Sequence, residues 1–328
     1  MSRRIVITGA TGFIGRNLVA ALLKKDFRLT LAVRDVGRSR RAFPDHPAID
    51  FIPYASVMAG EGLSGAWAVV HLAGLAHAPS RTGEAAFQEV NAVGALQLAE
   101  SIRRSKTPLL LHLSSVAAVT ANSSDQVVDD TTEPRPVTAY GRSKLAAEQH
   151  VAALAEEGVC VVSLRPPLVL GYDAGGNWGK LQRLALSGLP LPFGSARNRR
   201  SIVSIDLLVT AIAAICVQEP KPIKSGNYCI ADPFAISTAD ILTELRAGMG
   251  MAPRLFSCPE AMLHLAGRLT GRRQLIEGLM GDLVLDPSRF FSTFSIPDFP
   301  NLRASIRKSG ELYRSFYGRP AQLIGSSS

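Results

Sequence analysis

The chain has 328 residues, with 36 Lys and Arg against 27 Asp and Glu, for a net charge of +9. Apolar residues make up 47% and charged residues 19%, which excludes a disordered chain and supports two domains or one large α/β unit with an appendage. A core of that size needs no disulfide or metal staple. The cysteines Cys160, Cys216, Cys229 and Cys258 form neither a CxxC pair nor a Cys/His cluster, so they read as reduced core residues of a cytoplasmic protein without a bound metal. The longest apolar run, 207–217, is too short to span a bilayer. Basic residues are scattered rather than gathered in the stripe that nucleic acid would call for, and an anionic small-molecule substrate explains the modest excess equally well.

In chain order, 4–8 reads as a buried strand and 13–25 as a helix, followed by strands at 29–33, 49–52 and 68–72. A helix over 84–105, a strand at 109–113, a long helix over 139–157 and a strand at 159–164 complete the first half. This alternation implies right-handed crossovers and an α/β fold with a Rossmann-type doubly wound parallel sheet. After about Gly171 glycine and proline become denser and the alternation fades. A dinucleotide-binding domain is therefore expected over 1–170, with some later segments returning to it. A smaller, mostly helical cap over 171–328 would bind substrate. The Ser326-Ser327-Ser328 end reads as a frayed tail.

Gly9-Ala10-Thr11-Gly12-Phe13-Ile14-Gly15 follows the first strand directly and opens the first helix. Glycines at this spacing allow a tight turn, close backbone approach to a pyrophosphate, and helix amides facing the anion, so the loop predicts dinucleotide binding. The second strand ends Val33-Arg34-Asp35. Arg34 suits the 2′-phosphate of NADP or a stack on adenine, and Asp35 could reach the ribose of NAD; the sequence leaves NAD or NADP open.

Tyr140-Gly141-Arg142-Ser143-Lys144 begins the long helix, placing Tyr140 and Lys144 on one face, one turn apart. An ammonium near a phenol favours the phenolate, which can take a proton from a carbinol as hydride leaves its carbon. Ser114 and Ser115 end the preceding strand, where ligands of open α/β sheets bind, and a hydroxyl there can hold the reacting oxygen.

These features together resemble an extended short-chain dehydrogenase/reductase of the NAD(P)-dependent sugar-nucleotide epimerase/dehydratase family, in its UDP-glucose 4-epimerase-like branch. The resemblance implies a catalytic Ser115, Tyr140 and Lys144. His71-Leu72-Ala73-Gly74 is similar to the family's HLAA segment beside the cofactor, and Asn91-Ala92-Val93-Gly94 to its NVxGT segment. Leu164-Arg165-Pro166-Pro167-Leu168-Val169-Leu170-Gly171 resembles LRPxxVYG, which brackets the nicotinamide. The implied cofactor contacts are then Gly9, Thr11, Gly12, Phe13, Ile14, Gly15, Arg34, Leu72, Ala73, Gly74, Asn91, Tyr140, Lys144 and Pro167. Gly176-Asn177 and Arg197-Asn198-Arg199-Arg200 resemble segments along the diphosphate of a UDP-sugar. They add Asn177, Arg199 and Arg200 to Ser114 and Ser115 as implied substrate contacts. Residues 281–286 resemble the late strand where the cap closes, and helices 84–105 and 139–157 resemble those that pair in a homodimer.

The chain also departs from the pattern. Leu170 and Tyr172 replace a Tyr and a Pro beside Gly171, and Pro53-Tyr54-Ala55-Ser56 lacks an adenine-contacting carboxylate. Val116-Ala117 stands where 4,6-dehydratases carry Asp-Glu, which argues against dehydration. The implied activity is UDP-sugar 4-epimerisation through a 4-keto sugar. An NADPH-dependent 4-ketoreductase of a UDP-4-keto-6-deoxy sugar shares the same residues, and a catalytically silent dinucleotide-binding scaffold is the third reading.

Overall fold

Apolar runs without alternation build the centre of the molecule, because these strands are covered on both faces. The computed structural model describes residues 3–43, 45–76, 83–219, 224–269 and 273–318; the expected tail at 326–328 lies outside them. Seven strands, β1 (Arg3–Thr8), β2 (Phe27–Val33), β3 (Ile49–Pro53), β4 (Ala68–His71), β5 (Leu109–Leu113), β6 (Cys160–Arg165) and, after two cap strands, β9 (Gly226–Cys229), form one sheet. Its order is β3-β2-β1-β4-β5-β6-β9, and every pair is parallel. The expected doubly wound parallel sheet is thus observed, and the strand order reverses between β1 and β4. Ligands of such sheets bind at that reversal, beyond the carboxyl ends of the strands.

Side chains alternate across the sheet with period two. Ile5, Ile7, Leu29 and Leu31 face one side, where they pack with Leu18 and Leu22 of the helix Phe13–Leu22 and Leu208 and Ile212 of the helix Ile205–Val217. Val6, Val69 and Leu110 face the other, against Leu98 and Ile102 of Gly94–Ser105 and Ala147 and Val151 of Ala139–Ala152. The remaining cap has its own core around Trp178, Leu181, Leu242, Leu245 and Ile306, drawn from Gly176–Leu186, Thr238–Gly248 and Leu302–Tyr317. The strands β7 (Leu168–Leu170) and β8 (Ile202–Ser204) pair beside it.

Three expectations change in detail. The single helix over 84–105 is α-helical at Glu84–Phe87, π-helical at Gln88–Val93 and α-helical again at Gly94–Ser105. The wider turn carries the buried Asn91, and such turns often mark functional positions. The end of 139–157 tightens into a 3-10 turn, Ala153–Glu157, closed by Gly158 at φ 85°. Residues 281–286 form isolated bridges, Leu283 with Arg200 and Leu285 with Val128, rather than a regular strand. Among the described residues, no helix is long and apolar enough to cross a membrane.

Candidate functional site

The glycine loop leaves β1 at the point of strand reversal and presses against the chain leaving β4. Gly9 has φ 72°, and a Cβ there would sit 2.6 Å from the Ala73 nitrogen and 2.7 Å from the Leu72 carbonyl carbon. A Cβ on Gly15 would come 2.3 Å from the Gly9 oxygen. Thr8 adds polar ties: its carbonyl accepts from Leu72 N at 3.1 Å, and its Oγ1 pairs with His71 Nδ1 at 2.7 Å. The helix Phe13–Leu22 has Gly12 at its N-cap and no side-chain cap, so its leading amides stay open beside the exposed Thr11 and Gly12. This cradle fits a dinucleotide pyrophosphate held by backbone groups of residues 9–15. The side chains of Phe13 and Ile14 are turned elsewhere. Phe13 packs on Gly171 and the cap core, and Ile14 on the sheet core, which leaves their amides as the groups open to a ligand.

At the end of β2, Arg34 is exposed. Asp35 accepts from Arg38 N at 2.8 Å and caps the helix Val36–Ala42, so its carboxylate is engaged by the backbone rather than turned to a ribose. The guanidinium groups of Arg34 and Arg38 make no hydrogen bond or ion pair among the described residues.

The end of β5 and the helix Ala139–Ala152 bring the next groups together. The Ser115 hydroxyl lies near the Tyr140 phenol. Burial pushes the Tyr140 phenol above its ordinary value, and the neighbouring Ser115 hydroxyl pulls it back part of the way. Lys144 is buried, and its Nζ donates to the Leu113 carbonyl at 2.6 Å. Burial lowers Lys144 to about 8, with Glu148 opposing the change. A Cβ on Gly74 would come 3.0 Å from Asn91 Oδ1 and 3.9 Å from Lys144 Nζ, so the chain after β4 runs directly past both. Asn91 ties these pieces together. Its Oδ1 accepts from Leu75 N at 2.7 Å, and its Nδ2 donates to Leu75 O at 3.0 Å and to Ser143 Oγ at 2.9 Å. Pro167 is buried between β6 and β7.

Some expected residues have other tasks. Ser114, expected to face a substrate, is 3% exposed and donates to Glu148 Oε1 at 2.5 Å. It points into the interior because successive residues of an extended chain face opposite ways. Arg200 donates to the carbonyls of Gly281 at 2.8 Å and Asn122 at 3.2 Å, so two of its donors are spent on holding cap segments together. Arg199 is exposed, with its backbone nitrogen on Asp282 Oδ1 at 2.7 Å. Asn177 is exposed in the first turn of Gly176–Leu186, where its Oδ1 accepts from Lys180 at 3.3 Å. A cavity of about 790 Å³ in the cap is lined by Ser195, Arg197, Asn198 and Asp282, but by neither Arg199 nor Arg200, and by none of Ser115, Tyr140 and Lys144.

Sequence reasoning missed several supporting residues. Gly141 lets the helix meet the turn after Ser115, since a Cβ there would sit 2.2 Å from the Ala117 oxygen. Ser143 joins Asn91 to the Tyr140 carbonyl at 2.8 Å. His71 and His112 are register partners on β4 and β5, stacked with ring centroids 5.5 Å apart and fully buried. Burial and the nearby Lys144 hold both neutral, His71 near 3. The one available signal was Glu148, a charged residue one turn beyond Lys144 on the same helical face.

A family model described as the NAD dependent epimerase/dehydratase family matches residues 5–231. The chain is 31% identical over 329 residues to a UDP-glucose 4-epimerase of Vibrio cholerae, covering 95% of this chain and 96% of that protein. It is 28% identical over 279 residues to a ceramide reductase of Caulobacter vibrioides, covering 81% and 76%. In fold it is similar to a UDP-glucuronic acid 4-epimerase from Bacillus cereus solved in complex with NAD. That likeness has a TM-score of 0.74 at 18% identity and covers 96% of this chain and 99% of the other.

Proposed function

Because the chain belongs to the NAD dependent epimerase/dehydratase family, we propose that it is a UDP-sugar 4-epimerase working through a 4-keto sugar, with Ser115, Tyr140 and Lys144 as its catalytic residues. The observation that carries this reading is the Ser115 hydroxyl near the Tyr140 phenol, on the same sheet edge as a buried Lys144 and the glycine cradle. When bound, the dinucleotide supplies the hydride acceptor. Ser115 Oγ holds the sugar oxygen, and Tyr140 Oη takes and returns its proton. The Lys144 ammonium favours the phenolate, and burial of both groups strengthens that attraction. In this reading the amides of residues 9–15 carry the pyrophosphate, and the 72–74 segment with Asn91 and Pro167 lines the nicotinamide side. Asn177 and Arg199 are the groups open to the sugar-nucleotide diphosphate. The Vibrio relative's activity, at 31% identity over nearly both full lengths, supports the substrate class.

A second reading, an NADPH-dependent ketoreductase, is favoured by one observation. Among the described residues the guanidinium groups of Arg34 and Arg38 have no partner and could meet a 2′-phosphate, while the neighbouring carboxylate of Asp35 is committed to a helix cap. The deciding experiment denatures freshly purified protein, identifies released nucleotide by mass, and follows UDP-glucose and UDP-galactose interconversion. Retained NAD with interconversion and no added cofactor supports the epimerase. An empty site with NADPH preferred on titration puts the ketoreductase first. The protein is further proposed to form a homodimer through the helices beginning at Glu84 and Ala139, where Val90 is 44% and Leu96 39% exposed. Sedimentation at micromolar concentration tests that assembly.

A further inference from the structure

Below Lys144 lies a polar cluster that the proposed chemistry leaves unused. Glu148 and Arg165 are 2% exposed each, yet they face each other as an ion pair. Arg165 Nε donates to Glu148 Oε1 at 2.9 Å, and its Nη2 donates to Oε2 at 2.6 Å. Ser114 Oγ completes the set on Oε1. Glu148 belongs to the helix of Tyr140 and Lys144, Arg165 ends β6, and Ser114 follows β5. Three elements of the site therefore meet at one carboxylate. The backbone ties run in parallel: Ser114 N donates to Leu164 O at 2.8 Å, and Lys144 Nζ donates to Leu113 O.

We propose that Ser114, Glu148 and Arg165 form a buried positioning clamp that holds Lys144 and Ser115 in catalytic register and places a counter-charge one turn from the Lys144 ammonium. A buried ion pair is an expensive way to gain stability, since desolvating both ions offsets most of their attraction. A well-packed apolar pair would hold these elements as firmly. What an apolar pair cannot supply is a fixed orientation and a negative charge along the helix. The bidentate fork fixes the carboxylate plane, and the hydroxyl of Ser114 makes the position of Ser115 depend on it. Lys144 faces Glu148 one turn on along its own helix, His71 at the end of β4, and His112 in β5, and Tyr140 lies one turn before it on the same helix. The two imidazoles are held neutral, and Arg165 is paired with Glu148. Glu148 is thus the anionic group that keeps Lys144 protonated against burial.

The clamp rests on the reading of Lys144 as catalytic, so its test uses two readouts. Removing one ion alone would leave the other uncompensated, so the pair is neutralised together as Glu148→Gln with Arg165→Met. Thermal melting reports whether that protein folds. NMR of protein carrying ¹³Cε-labelled lysine, with the Lys144 signal identified by its loss in Lys144→Arg, reports where Lys144 titrates. The expected result is a folded double variant whose Lys144 titrates at a pH about one unit lower than wild type. Ser114→Ala is expected to lower kcat about tenfold with KM nearly unchanged, and Ser114→Thr to restore it. Wild-type titration of Lys144 in the folded double variant, or wild-type kcat in Ser114→Ala, overturns the proposal. If the double variant does not fold, the Ser114→Ala and Ser114→Thr pair decides. If no UDP-sugar is turned over, the functional reading fails while the Lys144 titration still decides the clamp.

Discussion

Gly141→Ala places one methyl group at the junction on which the candidate site depends. Alanine is the better helix former by about 0.5–1 kcal/mol, so propensity alone predicts stabilisation of Ala139–Ala152. The structure reverses that sign. The new Cβ would lie 2.2 Å from the Ala117 oxygen, 3.1 Å from its carbonyl carbon and 3.1 Å from Pro136 Cβ. None of these is the far end of a flexible side chain, so the helix and the Val116–Ala118 turn must separate by about 1 Å. Overpacking of this kind costs about 1–3 kcal/mol and outweighs the gain in propensity. Ser115 caps that same turn through Ala117 N at 3.2 Å, and Tyr140 precedes Gly141, so the displacement falls on the placement of the Ser115 hydroxyl against the Tyr140 phenol. A misplacement of about 1 Å at reacting groups costs about 100-fold in rate. Thermal melting should show a lower midpoint, and turnover should fall far more than dinucleotide affinity, because residues 9–15 are untouched. A variant that melts higher than wild type and keeps full turnover would refute the close-approach argument.

Tyr140→Phe should retain fold and dinucleotide binding while lowering turnover by about 10²–10⁴, measured with saturating cofactor; near-normal turnover would remove Tyr140 from the chemistry. Asp232 is buried and pushed up to about 6, mainly by burial, while its Oδ2 accepts from Ser204 N at 2.7 Å. The folded state thus holds this proton more tightly than the unfolded chain, so the charge destabilises above pH 6 and that cost disappears as pH falls towards 4. Asp232→Asn should therefore be more stable than wild type at pH 7.5, by on the order of 1 kcal/mol in urea titration, and equal to it near pH 4. The buried His71 and His112 act in the opposite sense. Both are held below the ordinary value near 6.5, so they cost nothing above that pH and lose stability below it, at about 1.4 kcal/mol per pH unit for each imidazole. Neither ring nitrogen of His112 has a partner among the described residues. His112→Leu should thus be tolerated at pH 7.5 and should flatten the acid-side loss of stability by about one proton.

The sequence by itself determined the sheet and its flanking helices. Buried strands such as Ile5-Val6-Ile7 and Leu109-Leu110-Leu111 announce themselves as apolar runs, and a glycine loop between strand and helix has few other uses. It also indicated that Tyr140 and Lys144 share a helical face, since that follows from local periodicity. Periodicity says nothing of partners far away in the chain, and those were decided by tertiary structure. The direction of Ser114, inward to Glu148, depends on Arg165 arriving on the neighbouring strand. Asp35 reads as a ribose ligand until the following helix takes its carboxylate. Arg200 reads as a phosphate ligand until the 281 and 122 carbonyls close around it. Polar groups satisfy whichever neighbour burial brings them, and burial is a property of the packed fold rather than of the local sequence.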